Sequence, residues 1–291
     1  MKILKRKQNH KVVSKNGKSK IIELNKRFVR RIATVSDLHV LSQFAMCPPG
    51  LTSEIGVEFN RHEGQKQLWN YWEDFNNKCD ELEVDTVLVV GDVIHGQNPI
   101  ERGVGLMSTN LDVQINAGVL AMERLCKNRK SLWVSGSKYH VSAIGHNSEK
   151  DICDRLNGTW LGLVANLKIE PTEKIINVSH GGSGAFIYRE TAMGREILFS
   201  KVAEANKKLP KISMFVHGHW HWFSYLHQSD THYLQLPCWI AFEPIPIYIK
   251  NYARFQPDIG GAIIMVDDVG RITVWHYLYD LPHIADNVRV E

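Results

Sequence analysis

Six aspartate and histidine side chains lie directly after predicted strands, in short polar motifs that each close an apolar run. They are Asp37 and His39 in SDLH, Asp92 in VVGD, His180 in NVSH, and His219 and His221 in GHWH. Because the carboxyl ends of strands in an α/β sheet line one ligand crevice, we expect these side chains to converge. Carboxylate together with imidazole suits borderline divalent cations such as zinc, manganese or iron. The pattern therefore predicts a metal centre in which Asp92 is the natural bridging carboxylate.

The elements that must position these motifs alternate between strand and helix in the first half of the chain. Apolar runs predict buried strands at RRIATVSD, VDTVLVVGD and SLWVSG. Apolar residues at spacings of three and four predict helices over 64–80 and 111–127, and a short helix is predicted over 148–157. Residues 41–60 have no clear period and contain two prolines and a glycine in succession, so a long loop is expected there.

The second half of the chain is rich in predicted strands. They cover 174–180, 212–218, 232–237, 261–268 and 271–277, and one helix is predicted around 186–207. The last two strands flank Val269-Gly270 and predict a hairpin. We therefore expect an α/β fold in which two packed mixed β-sheets are flanked by helices, as a single domain over residues 30–291.

The net charge of +4 over 291 residues is unevenly distributed. Residues 1–31 hold twelve of the 35 Lys and Arg residues and only one of the 31 acids, Glu23, so this stretch carries +11 and the remainder −7. Within it, two short β-prone runs around Asn16-Gly17 predict a basic hairpin over Lys11–Leu24. We treat residues 1–29 as a basic N-terminal arm. Contact with nucleic acid and a merely solubilising role both remain open for it.

The composition excludes several classes of protein. Hydrophobic residues are 44% and charged residues 23% of the chain, which is typical of a globular protein rather than a disordered, collagen-like or coiled-coil one. No apolar run approaches the roughly 18 residues that a membrane-spanning helix needs, and no apolar segment follows the basic N-terminus as a secretory signal requires. The five cysteines show no CxxC spacing, so buried, inert thiols and a cytoplasmic location are expected.

Taken in order, the motifs DxH, GD, H and GHxH resemble the signature of the calcineurin-like metallophosphoesterase superfamily, over the stretch from Asp37 to His221. The resemblance implies a two-sheet sandwich and two divalent metal ions, for which manganese, zinc, iron and nickel are all candidates. One ion would be held by Asp37, His39, Asp92 and His221. The other would be held by Asp92, His180 and His219. A water between the two ions would attack the phosphorus atom.

One motif departs from the superfamily pattern. Where GNH(D/E) is expected, the chain reads SGSKYHVSAIGHNSEKD, with Ser137 in place of the ligand asparagine. The stretch is similar to that of a phage-type subgroup, in which a glutamate-containing helix follows. The resemblance implies that His140 is the catalytic histidine, which protonates the leaving oxygen or orients the phosphate. Ser137, His146 and Asn147 are alternative ligands for the second ion, although Asn147 and His146 also suit a helix cap or a loop.

The substrate class follows from smaller features of the sequence. GDVIHGQ lacks the arginine of the protein phosphatases, and its His95 resembles the extra histidine of the nuclease branch. The resemblance implies a contact between His95 and a diester phosphate, and a plain loop histidine is the alternative. Tyr139 is a candidate for base stacking. Arg189 is a candidate for a phosphate contact, with a solvated helix face as the alternative. We therefore expect a phosphodiesterase or nuclease acting on DNA, RNA or nucleotides. The alternatives are a phosphomonoesterase acting on a small metabolite or a phosphoprotein, and a metal-containing nucleic-acid-binding module without activity.

Overall fold

Eleven strands and four helices make up the part of the chain that the computed structural model describes, which is residues 28–97, 103–140, 147–181, 189–241 and 256–280. The strands are β1 (Phe28–Val35), β2 (Thr86–Val90), β3 (Lys130–Val134), β4 (Thr159–Trp160), β5 (Val164–Ile169), β6 (Lys174–Ser179), β7 (Met214–His217), β8 (Ser224–Gln228), β9 (Thr231–Gln235), β10 (Ile259–Asp267) and β11 (Ile272–Tyr279). The helices are α1 (Glu63–Glu81), α2 (Leu111–Cys126), α3 (Ser148–Arg155) and α4 (Arg189–Ala205). The predicted hairpin over Lys11–Leu24 and the candidate ligand His146 lie outside the described residues.

The strands form two mixed sheets. The six-stranded sheet has the order β11-β10-β1-β2-β3-β4, in which β1 to β4 run parallel and β10 joins β1 antiparallel. The five-stranded sheet has the order β5-β6-β7-β9-β8, with β6, β7 and β9 parallel. The antiparallel pair β10–β11 confirms the hairpin predicted around Val269-Gly270. The expected fold of two packed mixed sheets with flanking helices is thus confirmed.

The alternation of side chains along β2 shows how the layers are held together. Leu88 and Val90 are fully buried in the core between the two sheets, together with Val178 and Val216 of the second sheet. Val87 and Val89 point the other way, into the core beneath α1 and α2. Because both faces of β2 are covered, all five of its residues are buried, as is usual for a central parallel strand.

The predicted central strands and all four helices are confirmed, but β4, β5 and β8 were missed. Each of these three strands lies at the edge of a sheet. The burial of β5 alternates weakly and most of β8 is solvent-exposed, so neither contains the continuous apolar run by which the central strands were recognised. With two residues, β4 is too short to show any period.

The expectation of buried thiols is confirmed for all five cysteines, which are free. Burial raises the pKa of the Cys79 and Cys126 thiols to about 12, so they stay protonated near neutral pH. Among the described helices, none has the length and apolar character required to cross a membrane.

Gly261 of β10 is predicted to be intolerant of a side chain. Its replacement by alanine would place a methyl carbon 2.7 Å from the buried ring of Phe75 on α1. We expect Gly261→Ala to lower the free energy of unfolding by about 1–3 kcal/mol, measured by urea denaturation. Gly194→Ala on α4 is the control, because its nearest neighbour would be 3.9 Å away and alanine favours a helix. Equal effects of the two variants would contradict the packing described here.

Candidate metal centre

The six predicted ligands meet where the carboxyl ends of the two sheets face each other. Asp37 and His39 follow β1 and Asp92 follows β2 in the first sheet, whereas the other three follow β6 and β7 in the second. Backbone hydrogen bonds tie the first two turns together, since Asp37 N donates to the Gly91 carbonyl and His39 N donates to the Asp92 carbonyl, both at 3.0 Å. The neighbouring parallel strands therefore place their aspartates side by side.

The first group of possible metal ligands consists of Asp37, His39 and His221. One donor atom from each residue lies within 4.8 Å of the others. His221 Nε2 is 3.2 Å and His39 Nε2 3.6 Å from Asp37 Oδ1, and the two Nε2 atoms are 3.1 Å apart. One carboxylate oxygen and two imidazole nitrogens thus converge on a single point.

The second group consists of Asp92, His180 and His219, with donor atoms that also lie within 4.8 Å of one another. His180 Nε2 is 2.8 Å from Asp92 Oδ2, and its Nδ1 donates a hydrogen bond of 2.6 Å to the Val90 carbonyl. The bond to the carbonyl orients the ring and leaves Nε2 to serve as a ligand. The two groups adjoin, because His180 Nε2 is only 3.7 Å from Asp37 Oδ1.

The two carboxylates are almost completely buried, Asp37 being 0% and Asp92 1% exposed. Burial alone would raise the pKa of Asp37, but the neighbouring His180 and His221 outweigh it and hold the pKa well below the usual value. The same opposition acts on Asp92, where His180 and His140 lower the pKa. Both groups therefore remain ionised, and two buried negative charges need a cation nearby.

The chemistry of Asp37 fits a metal ion. Within the described residues, its Oδ1 is buried and has no hydrogen-bond partner. Three imidazole Nε2 atoms, from His221, His39 and His180, nevertheless surround this oxygen within 3.7 Å. A buried acceptor left without a donor is costly unless something else satisfies it. A divalent ion bound by the oxygen and the nitrogens would do so.

Most of the ligands adopt a backbone conformation that few residues tolerate. Five of the six have a φ angle in the left-handed region, from +46° at His39 to +78° at His219. Each such residue costs on the order of 1–3 kcal/mol, and such strain accumulates at functional sites. The turns after β1, β2 and β7 are thus held in place by the surrounding sheets and not by local preference.

Ser137, where the resemblance places an asparagine ligand, contacts the centre through its backbone. Its N–H donates a hydrogen bond of 2.8 Å to Asp92 Oδ1, which leaves Oδ2 to face His180. The close approach depends on Gly136, because a β-carbon there would lie 2.0 Å from Asp92 Oδ1. Among the described residues, the Ser137 hydroxyl has no hydrogen-bond partner.

His140 and His95 lie beside the first group. His39, His95 and His140 each place a ring nitrogen within 4.8 Å of the other two. His140 Nδ1 donates to the His95 carbonyl, so its Nε2 points inward and lies 3.8 Å from Asp92 Oδ2. The His95 loop is held in turn by Gln114 of α2, which bonds both the N–H and the carbonyl of Gly96 at 2.8 and 3.1 Å.

The remaining predicted residues occupy other positions. Asn147 is the N-cap of α3, where its Oδ1 accepts from two backbone N–H groups and its Nδ2 donates to Ser135. Tyr139 is 37% exposed next to His140, with the Lys138 ammonium over its ring. Arg189 is the first residue of α4.

Two positions that support the site were missed by sequence reasoning, Gln114 and Glu149. Both are buried polar residues on helices, Gln114 being 0% and Glu149 2% exposed. A polar residue within an apolar helical face was the signal available for Gln114. For Glu149 the signal was the phage-type resemblance, which includes a glutamate-containing helix.

Comparisons with known proteins give distant structural similarities. No protein-family model and no curated protein matches the chain. An archaeal phosphodiesterase is 12% identical over 85% of this chain and 99% of its own, with a TM-score of 0.43. A zinc-complexed Vps29 from Entamoeba histolytica is 12% identical over 86% and 99%, with a TM-score of 0.41. A predicted phosphoesterase from Streptococcus pneumoniae is 13% identical over 86% and 92%, with a TM-score of 0.36. At TM-scores this low, the function of the chain must be inferred from its own site.

Binding of divalent ions is expected to stabilise the fold. A ligand that binds only the folded state adds about 2.7 kcal/mol at a hundredfold excess over its Kd. The melting temperature, followed by scanning calorimetry, should therefore rise as Mn²⁺ or Zn²⁺ is added and fall with a chelator. Asp37→Asn should abolish the rise, whereas Asp230→Asn, at an exposed lysine-paired site, should preserve it. A melting temperature indifferent to all added ions would rule out the metal centre.

Proposed function

We propose that the protein is a metal-dependent phosphoester hydrolase with two adjoining metal positions, and that its substrates are phosphodiesters. The observation that carries the proposal is the pair of Asp/His groups in contact through Asp37 and His180, at the carboxyl ends of strands from both sheets. Two divalent ions held there would activate a water molecule and neutralise charge on the phosphoryl oxygens. The conclusion agrees with the superfamily that the motif order resembles.

The residues of the chain would divide the remaining tasks. Asp37, His39 and His221 would hold one ion, and His180 and His219 the other, with Asp92 between them. His140 would contact the substrate, since its Nδ1 is held by the His95 carbonyl and its Nε2 faces the candidate ligands. From there it would protonate the leaving oxygen or donate a hydrogen bond to the phosphate. The chain then needs no serine or cysteine nucleophile.

A diester is favoured over a monoester by the absence of an arginine from the sequence directly after Asp92 and directly after His140. A phosphate monoester dianion is commonly bound by an arginine fork. The chain has no arginine in the loop after Asp92 through Gln97, and after His140 the next is Arg155. Arg155 is occupied at the helix surface, where it donates to Asn116. A phosphodiester carries only one negative charge, so its binding needs fewer cationic side chains than the binding of a monoester dianion.

Substitutions of Asp92 and His140 separate metal binding from chemistry. Asp92→Asn should abolish activity and metal content together, because it removes charge from the bridging position. His140→Asn should retain its metal but lose about 10²–10⁴-fold in kcat, the usual contribution of a proton-transfer group. The measurements are kcat on bis(p-nitrophenyl) phosphate and on the monoester, with manganese, zinc, nickel and magnesium added in turn, alongside metal analysis.

The possible results of this panel have distinct meanings. Retained hydrolysis by Asp92→Asn would contradict the proposed centre. Faster hydrolysis of the monoester than of the diester would favour a phosphomonoesterase. If the metal-loaded protein hydrolyses neither substrate, the remaining candidate is a metal-containing nucleic-acid-binding module without activity.

Nucleic acid is the diester class that the basic arm favours, and we include it in the proposal. The arm joins β1 at Phe28, whereas the candidate metal centre follows the other end of the same strand. Eight residues at about 3.3 Å each separate the two points by roughly 25 Å. From there the arm would contact phosphates along a bound polynucleotide.

Deletion of residues 1–27, which leaves β1 intact, tests this role of the arm. We expect weaker polynucleotide binding and a shallower dependence of log Kd on log salt, because fewer counterions are released. The kcat/KM on bis(p-nitrophenyl) phosphate should stay unchanged and serves as the control. Unaltered polynucleotide affinity would remove nucleic-acid contact as the role of the arm.

A further inference from the structure

Glu149 is a buried carboxylate that binds two separate strand ends. It lies in the first turn of α3 and is 2% exposed. Its Oε1 accepts a hydrogen bond of 2.8 Å from Val93 N, and its Oε2 accepts one of 2.6 Å from Gly136 N. Val93 follows β2 and Gly136 follows β3, so one side chain joins the turns at the ends of two neighbouring strands.

Both of these contacts lie next to Asp92. Val93 is the residue directly after it in the chain. Gly136 precedes Ser137, whose N–H donates to Asp92 Oδ1 at 2.8 Å. Glu149 therefore holds the backbone on one side of Asp92 and the backbone of its hydrogen-bond donor on the other. The rotation of the Asp92 carboxylate, and with it the direction in which Oδ2 points, depends on both.

The two oxygens of the Glu149 carboxyl group match this pair of contacts. Two N–H donors face its two oxygens, and each oxygen accepts one bond. A glutamine has one oxygen and one NH₂ group, so one of the two N–H groups would face another donor. An aspartate keeps both oxygens, but it is one methylene shorter and cannot reach both donors from the same helix position.

We propose that Glu149 is a positioning residue of the metal centre, which sets the orientation of Asp92 by holding the turns after β2 and β3 at a fixed separation. The inference rests on the proposed function, since Asp92 must be a metal ligand for its orientation to matter. Partners of this kind typically contribute 10–100-fold to metal affinity. Both ions should be affected, and most strongly the one held by Asp92, His180 and His219.

The test is a calorimetric titration of the full-length, metal-free protein with Mn²⁺, combined with EPR of the loaded protein. For Glu149→Gln we expect affinity at the weaker site to fall about 10–100-fold, with loss of the exchange-coupled signal of a manganese pair. Asp154→Asn is the matched control, because it removes one charge from the same helix at an exposed position that pairs with Lys150. The control should bind two ions like the wild type.

The outcomes distinguish this inference from the proposed function. If the wild type binds no pair of ions, the proposed function fails and takes the inference with it. If the wild type binds a pair and Glu149→Gln binds both with unchanged affinity, only the role of Glu149 is overturned. Should Glu149→Gln not fold, Glu149→Asp is expected to show the same weakened site. If neither variant folds, Glu149 serves the fold as a whole and the positioning role is overturned.

Discussion

The structure around the candidate metal centre depends on two carboxylates that are buried at the ends of neighbouring parallel strands. Asp37 and Asp92 follow β1 and β2, and both are sealed from solvent. Two buried charges of the same sign are costly unless positive charge lies nearby. The surrounding imidazoles supply part of that charge, and a pair of divalent ions would supply the rest. In the proposed function, metal binding would thus stabilise this local structure as well as supply the chemistry.

The apolar core between the two sheets offsets the energetic cost of this arrangement. The central strands are buried on both faces, and apolar residues of the two sheets interlock between them. The stability of that core offsets the strained left-handed conformations of the turns, which in isolation would relax. The candidate ligands in left-handed conformations lie in the turns after β1, β2 and β7, where the chain reverses sharply and directs side chains toward the candidate metal centre.

A second layer of polar residues restricts how the ligands can move. The Val90 carbonyl fixes the tautomer of His180, and the His95 carbonyl fixes that of His140. Gln114 holds the loop that carries the second of these carbonyls, while Glu149 holds the turns around Asp92. A metal site needs its ligands within a few tenths of an ångström of their ideal places, and contacts of this kind provide that precision.

Much of this protein was determined by local sequence. The central strands and the helices were predicted from apolar runs and apolar periodicity, because these patterns indicate which faces of an element are buried. The six candidate Asp and His ligands were recognisable because they lie in short polar motifs that follow strands. The strands β4, β5 and β8 were not recognisable, since β4 has only two residues and β5 and β8 are largely exposed and contain no continuous apolar run. Only the tertiary structure decided that Ser137 acts through its backbone and that Glu149 joins two turns. Both roles depend on contacts between residues that are far apart in the sequence. A local sequence pattern does not predict such contacts.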